Sequence, residues 1–104
     1  MANQHRGDVD LNLAGGPMPL RLTLGALAEI ETAFGASGLI DLGERLKLGR
    51  IGTRDMITIL AAAARGAGGR LNDRDFANAV SAADMANCVA ALGHLFEQTF
   101  GPMP

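Results

Sequence analysis

Asp8-Val9-Asp10-Leu11-Asn12-Leu13 alternates polar and apolar positions strictly, which is the period of a half-buried strand. Ala14-Gly15-Gly16-Pro17 is a turn signal. Met18-Pro19-Leu20-Arg21-Leu22-Thr23-Leu24 then alternates again, with Leu20, Leu22 and Leu24 on one face. The two runs predict a β-hairpin over 8–24. Pro19 has no N–H to donate and suits a strand start or an edge. A lone hairpin is marginal in water. Its apolar face therefore needs a cover, from helices or from another chain.

From Leu24 the period lengthens. Leu24, Leu27, Ile30 or Glu31, and Phe34 fall at helical spacing, with Thr23 as N-cap and Gly35 as stop. Ser37 caps a second predicted helix carrying Leu39, Leu42, Gly43 and Leu46, closed by Gly49. Thr53 caps a third, with Met56, Ile57, Leu60, Ala63 and Ala64 inward and Gly66-Ala67-Gly68-Gly69 as the break. Its first-turn Asp55 and last-turn Arg65 complement the helix dipole. Asn72 opens a short fourth helix through about Val80, anchored by Phe76 and Val80, with Asp75 in a capping-box-like position. A fifth runs from about Ala83 to Phe100. Met85, Val89, Leu92, Phe96 and Phe100 form its main stripe, flanked by Cys88 and Leu95, and Gly101-Pro102 stops it. The chain thus reads as α+β, mostly α: one domain over 1–104, with an N-terminal β-hairpin followed by four to five helices. Residues 1–6 are expected to be a disordered tail, 8–24 the hairpin and 24–100 the helical part.

Composition supports a folded domain, since 48% of the 104 residues are hydrophobic and 19% charged. There are four Phe and neither Tyr nor Trp, so core filling falls to aliphatic side chains and Ala. A single Cys excludes an intramolecular disulfide and a cysteine-based zinc site. The longest apolar run, Ile59–Ala64, is far below the ~20 residues of a membrane span. The N-terminal run lacks the apolar stretch of a signal peptide, so a soluble cytoplasmic protein is expected.

The net charge of −2 is unevenly spread. Residues 1–44 carry a net −4, residues 45–74 a net +5 and residues 75–104 a net −3. Eight of the nine basic residues are Arg, which pairs with carboxylates in a planar, bidentate way. Intramolecular pairing on a solvated surface is the plainest account, and an Arg-rich partner surface is the functional one. Nucleic-acid binding is disfavoured by the acidic overall charge and the lack of stacking aromatics beyond Phe.

No catalytic set emerges. His5 and His94 have no partners at metal-ligand spacing. Asp73-x-Asp75 continues as Ala77 and Asn78 where a calcium loop needs a ligand and a Gly. Gly66-Ala67-Gly68-Gly69 follows a helix and lacks the Lys-Ser/Thr of a phosphate loop. Arg6-Gly7-Asp8 matches an adhesion tripeptide but leads into a strand. Cys88 falls beside an apolar stripe, as a structural thiol does, and Ser37 and Ser81 sit at helix boundaries. The expectation is a non-enzyme without cofactor or metal.

Several segments resemble a known family. They are His5–Val9, Leu20–Glu31, Phe34-Gly35, Gly49-Arg50, Asp55-Met56-Ile57 and Arg65–Gly68. Together they are similar to the small tail proteins of bacterial gene transfer agents, which belong with phage tail assembly chaperones and are in part labelled tail tube proteins. The match covers roughly residues 5–70, strongest over Leu20–Glu31, and holds in the last third only as a pattern. The resemblance implies a chaperone that binds the apolar tape measure protein before the tail tube polymerises. The alternative it implies is a structural tail component, a tube or connector subunit, although tube subunits rely on a larger β-sheet than two strands. Homo-oligomers and other tail proteins are further expected partners. The expected contact surface joins the hairpin face (Leu11, Leu13, Leu20, Leu22) to the third helix (Met56, Ile57, Leu60), with Arg50, Arg54 and Arg65 steering an acidic partner.

Overall fold

In a computed structural model, which describes residues 8–35 and 38–101 apart from the side chains of 38–40 and 100, the two alternating runs pair as an antiparallel hairpin. Strand β1 is Asp8–Leu13 and strand β2 is Gly16–Arg21, joined by Ala14-Gly15. The helices are α1 (Leu24–Phe34), α2 (Gly38–Lys47), α3 (Thr53–Gly66), α4 (Asp73–Ala79) and α5 (Met85–Phe100), with one 3₁₀ turn at Ala82–Asp84. The fold is α+β and mostly α, as expected. The expected tail at 1–6, the Ser37 cap, the stop at Pro102 and the packing of Leu39 and Phe100 lie outside the described residues.

The register sets Val9 opposite Leu20 and Leu11 opposite Met18, which builds the apolar face. Asp8 stands opposite Arg21, and the guanidinium Nε and Nη2 donate to the two carboxylate oxygens in a bidentate pair. Positive φ falls on Gly16, at 124°, where a side chain would be strained. Pro17 and Pro19 lie two apart, opposite Asn12 and Asp10. A ladder survives two prolines only if both point their missing N–H groups away from the partner strand. The outer edge of β2 therefore lacks two of its donors. On the outer edge of β1, the Asn12 carbonyl accepts a hydrogen bond from the Asn87 amide of α5 at 2.9 Å. Both edges are thus blunted against pairing with another strand.

The hairpin is covered by the chain itself: α5 packs on β1 and α3 on β2. Helix α3 is the centre of the molecule, in contact with β2, α1, α4 and α5. Ile59 through Ala64 are all buried, so this helix is enclosed on every side rather than along one stripe. Four consecutive alanines let its neighbours approach closely. Its last residue, Gly66, is in tightest contact: a Cβ there would stand 2.2 Å from the Arg21 carbonyl oxygen and 3.4 Å from the Ala26 Cβ.

Caps largely follow the sequence. Thr23 accepts from the Ala26 N–H at 3.0 Å and Asn72 from the Asp75 N–H at 2.7 Å. The expected Thr53 cap moves by one residue: Thr53 is helical and Gly52 is the N-cap. The hairpin ends at Arg21, not Leu24. Two helical stripes are rotated from expectation. In α1 the buried residues are Ala26 and Ile30, and Leu24 stands 85% exposed. In α5 the buried set is Cys88, Ala91, Leu92, Leu95 and Phe96, whereas Met85 and Val89 are exposed. On α1, Ala26 faces the close approach at Gly66, where an added Cβ would stand 3.4 Å from that of Ala26.

The close approach at Gly66 is testable. Gly66→Ala is expected to destabilise the fold by about 1–3 kcal/mol through overpacking. Gly93→Ala, in α5 with nothing within 4 Å of the added methyl, is expected to stabilise by about 0.5–1 kcal/mol. Urea denaturation of the two variants beside wild type checks both signs.

Candidate functional site

Helices α3 and α4 pack against each other, and the chain turns back through Ser81 and the 3₁₀ turn into α5. Between these elements lies an apolar groove of about 240 Å³. Met56, Ile57 and Leu60 of α3 form its floor, Phe76, Ala77 and Val80 one wall, and Met85 and Cys88 of α5 the other. Thr53 and Ser81 supply the polar rim. The Ser81 end is fixed: its N–H and hydroxyl both donate to buried Asp84, each at 3.2 Å. Exposed Val89 lies one turn beyond Met85 on α5, so apolar surface continues past the groove.

The groove lining is mostly apolar. Its one thiol, Cys88, is pushed above its ordinary value of 9.0 by burial first and by the charge of Asp84 second. At neutral pH it is a protonated, unreactive side chain. Among the described residues no group of three or more His, Cys, Asp and Glu side chains could hold a metal ion. No single helix among them is long and apolar enough to cross a membrane.

The structure separates the ten expected contact residues into groups. Met56, Ile57 and Leu60 are brought together in the groove, although Leu60 is fully buried beneath it. Leu11 and Leu20 are fully buried against the chain's own helices, and Leu13 and Leu22 are partly buried against the same core. The hairpin's cover is therefore intramolecular. Arg65 is a brace: it bonds to Glu29 of α1, to Asp73 at 3.1 Å and to the Leu71 carbonyl at 2.9 Å. These carboxylates hold its guanidinium above its ordinary value, the Glu29 hydrogen bond most strongly. Arg45 is a second brace, bonded to Asp41 at 2.9 Å and Asp55 at 3.0 Å and lying 5.7 Å from the Phe34 ring centroid. Arg50 and Arg54 differ: both are exposed and neither makes an ion pair among the described residues. They flank the Thr53 end of the groove in sequence. The groove walls from α4 and α5 were not among the expected residues. The signal was the pairing of Phe76 with Val80 on a helix too short to bury anything else.

This geometry gives a small, mostly helical fold with one apolar groove between α3, α4 and α5. The family comparison then makes the assignment specific. Residues 6–102 match the family described as phage tail tube protein, GTA-gp10, and the chain belongs to that family. Searches of curated proteins and of solved structures returned no match. The family description places the chain among tail proteins of phage-like particles, consistent with the resemblance to gene-transfer-agent tail proteins. Of the two expected roles it favours the structural tail component over the chaperone.

Two predictions follow from the charges and the thiol. Arg65→Ala is expected to cost about 1–2 kcal/mol of stability through its lost hydrogen bonds. Arg54→Ala should remain within about 0.5 kcal/mol of wild type, as surface substitutions do. Equal losses in denaturant titrations would contradict the division of braces from spare cations. For Cys88, the unfolded thiol ionises near 9.0 while the folded one stays protonated. The unfolded state then sheds a proton the folded state keeps, so stability falls as pH rises through that range. Denaturation midpoints at pH 8 and pH 10 should show a smaller drop for Cys88→Ala than for wild type.

Proposed function

We propose that this protein is a non-enzymatic structural component of a phage-like tail, a tube or connector subunit that joins its neighbours through helical surfaces. The family match carries this reading. The blunted hairpin supports the helical route: two prolines deprive one edge of donors and Asn87 occupies a carbonyl on the other. A ring of copies sharing one continuous sheet through these hairpins would have to undo both features. The groove and the exposed Met85 and Val89 offer apolar contact area instead.

A second reading is a chaperone that holds the tape measure protein in the cytoplasm before tube assembly. One observation favours it: an apolar groove lined by three helices suits the apolar face of an amphipathic helix. Mass spectrometry of purified particles separates the two. The structural reading expects the protein in the particle at a fixed ratio to other tail proteins. Its absence from particles, with capture of co-expressed tape measure protein in soluble form, would transfer the assignment to the chaperone.

A further inference from the structure

Pro17 and Pro19 leave the outer edge of β2 with acceptors and few donors. The Asn12 carbonyl, opposite Pro17, points away from the ladder toward Asn87 of α5. In an antiparallel pair the opposite residue then points its own backbone groups away on the other side, and residues two apart repeat the direction. Pro17 and Pro19 therefore turn their carbonyls outward, with no N–H beside them. Arg21, two residues further, follows the same pattern and turns its carbonyl to Gly66 of α3. Neither proline carbonyl accepts a hydrogen bond among the described residues.

Both prolines line a concavity of about 450 Å³ between the hairpin tip and the end of α4. Leu13, Met18 and Ala79 supply apolar walls, and Asp84 is the one charged lining residue. Asp84 is only 7% exposed. Its capping bonds from Ser81 both fall on Oδ2, and Oδ1 accepts none among the described residues. No described Arg, Lys or His pairs with it. No fully enclosed side-chain oxygen of the described residues lacks a partner, so Oδ1 is reached by solvent. A mostly buried carboxylate without a cation is costly, and a cation brought from outside offsets that cost. We propose that this concavity receives an arginine side chain of another protein chain. Its aliphatic stem lies on Leu13, Met18 and Ala79, and its guanidinium donates to Asp84 Oδ1 and to the proline carbonyls. A guanidinium carries five donors in a plane and no acceptor, the complement of a site whose floor and edge offer acceptors. A lysine ammonium is a point charge and spans separated acceptors less well. Nothing in this site depends on which tail role the protein plays.

Nuclear magnetic resonance titration of the full chain with n-propylguanidinium, an arginine side chain without its backbone, tests this. Saturable amide shifts are expected at the hairpin tip and at Ala79–Asp84, with a dissociation constant on the order of 1 mM, as suits so small a fragment. n-Propylurea, of similar shape without the charge, should shift nothing there. n-Butylammonium, the lysine equivalent, should bind several-fold more weakly. Asp84→Asn can still accept from Ser81 and should weaken n-propylguanidinium binding roughly tenfold. Ala79→Leu narrows the concavity from an exposed position, leaves Asp84 in place and should abolish the shifts, so the test survives an Asp84→Asn chain that fails to fold. The absence of saturable shifts up to about 50 mM, equal shifts with n-propylurea, or unchanged affinity in Asp84→Asn or Ala79→Leu overturns the site. Equal affinity for n-butylammonium overturns the assignment to arginine.

Discussion

The structure depends on one helix that has no solvent face along its middle. Helix α3 is enclosed from Ile59 through Ala64, and the hairpin, α1, α4 and α5 all pack on it. An enclosed helix must be thin. Four alanines in a row make it so, and Gly66 extends the thinness to the point where a backbone carbonyl of β2 passes. Everything else is arranged around that close fit. Ala26 faces this close approach, while Ile30 on the same helix and Leu92, Leu95 and Phe96 on α5 fill the wider parts of the core.

Arginine serves two physical roles. Arg21, Arg45 and Arg65 each bond to carboxylates on other elements and tie the two hairpin strands, α2 to α1 and α3, and α3 to α1 and α4. A planar guanidinium with several donors can satisfy two partners at once, which a lysine ammonium does less well. Arg50 and Arg54 contribute nothing of this kind. Their charge costs little where it stands in water.

A tail protein with so little sheet has to assemble differently from one built as a β-barrel. The hairpin here is a packing element whose edges are guarded, and the large exposed apolar side chains of the described residues lie on helices, apart from Leu48 in the turn after α2. Membership of the tail tube family and a mostly helical fold are compatible if the subunit contacts its neighbours side chain to side chain rather than strand to strand.

The sequence by itself determined the elements. Strict alternation placed β1 and β2, Thr23 and Asn72 announced their helices, glycines ended them, and the family was legible in Leu20–Glu31. These signals are local, and a backbone responds to them before any tertiary contact exists. Tertiary structure decided which face of each helix turned inward. A periodic reading favours the largest apolar side chains, and so pointed to Leu24 and to Met85 with Val89. How closely two backbones approach is not a property of either segment alone. The short distance at Gly66 put Ala26 beside it on α1, and on α5 the inward face became Cys88, Ala91, Leu92, Leu95 and Phe96. The groove likewise exists only where α3, α4 and α5 converge. Met56, Ile57 and Leu60 were visible in the sequence as apolar, but only their meeting with Phe76, Val80 and Met85 made them a place to bind.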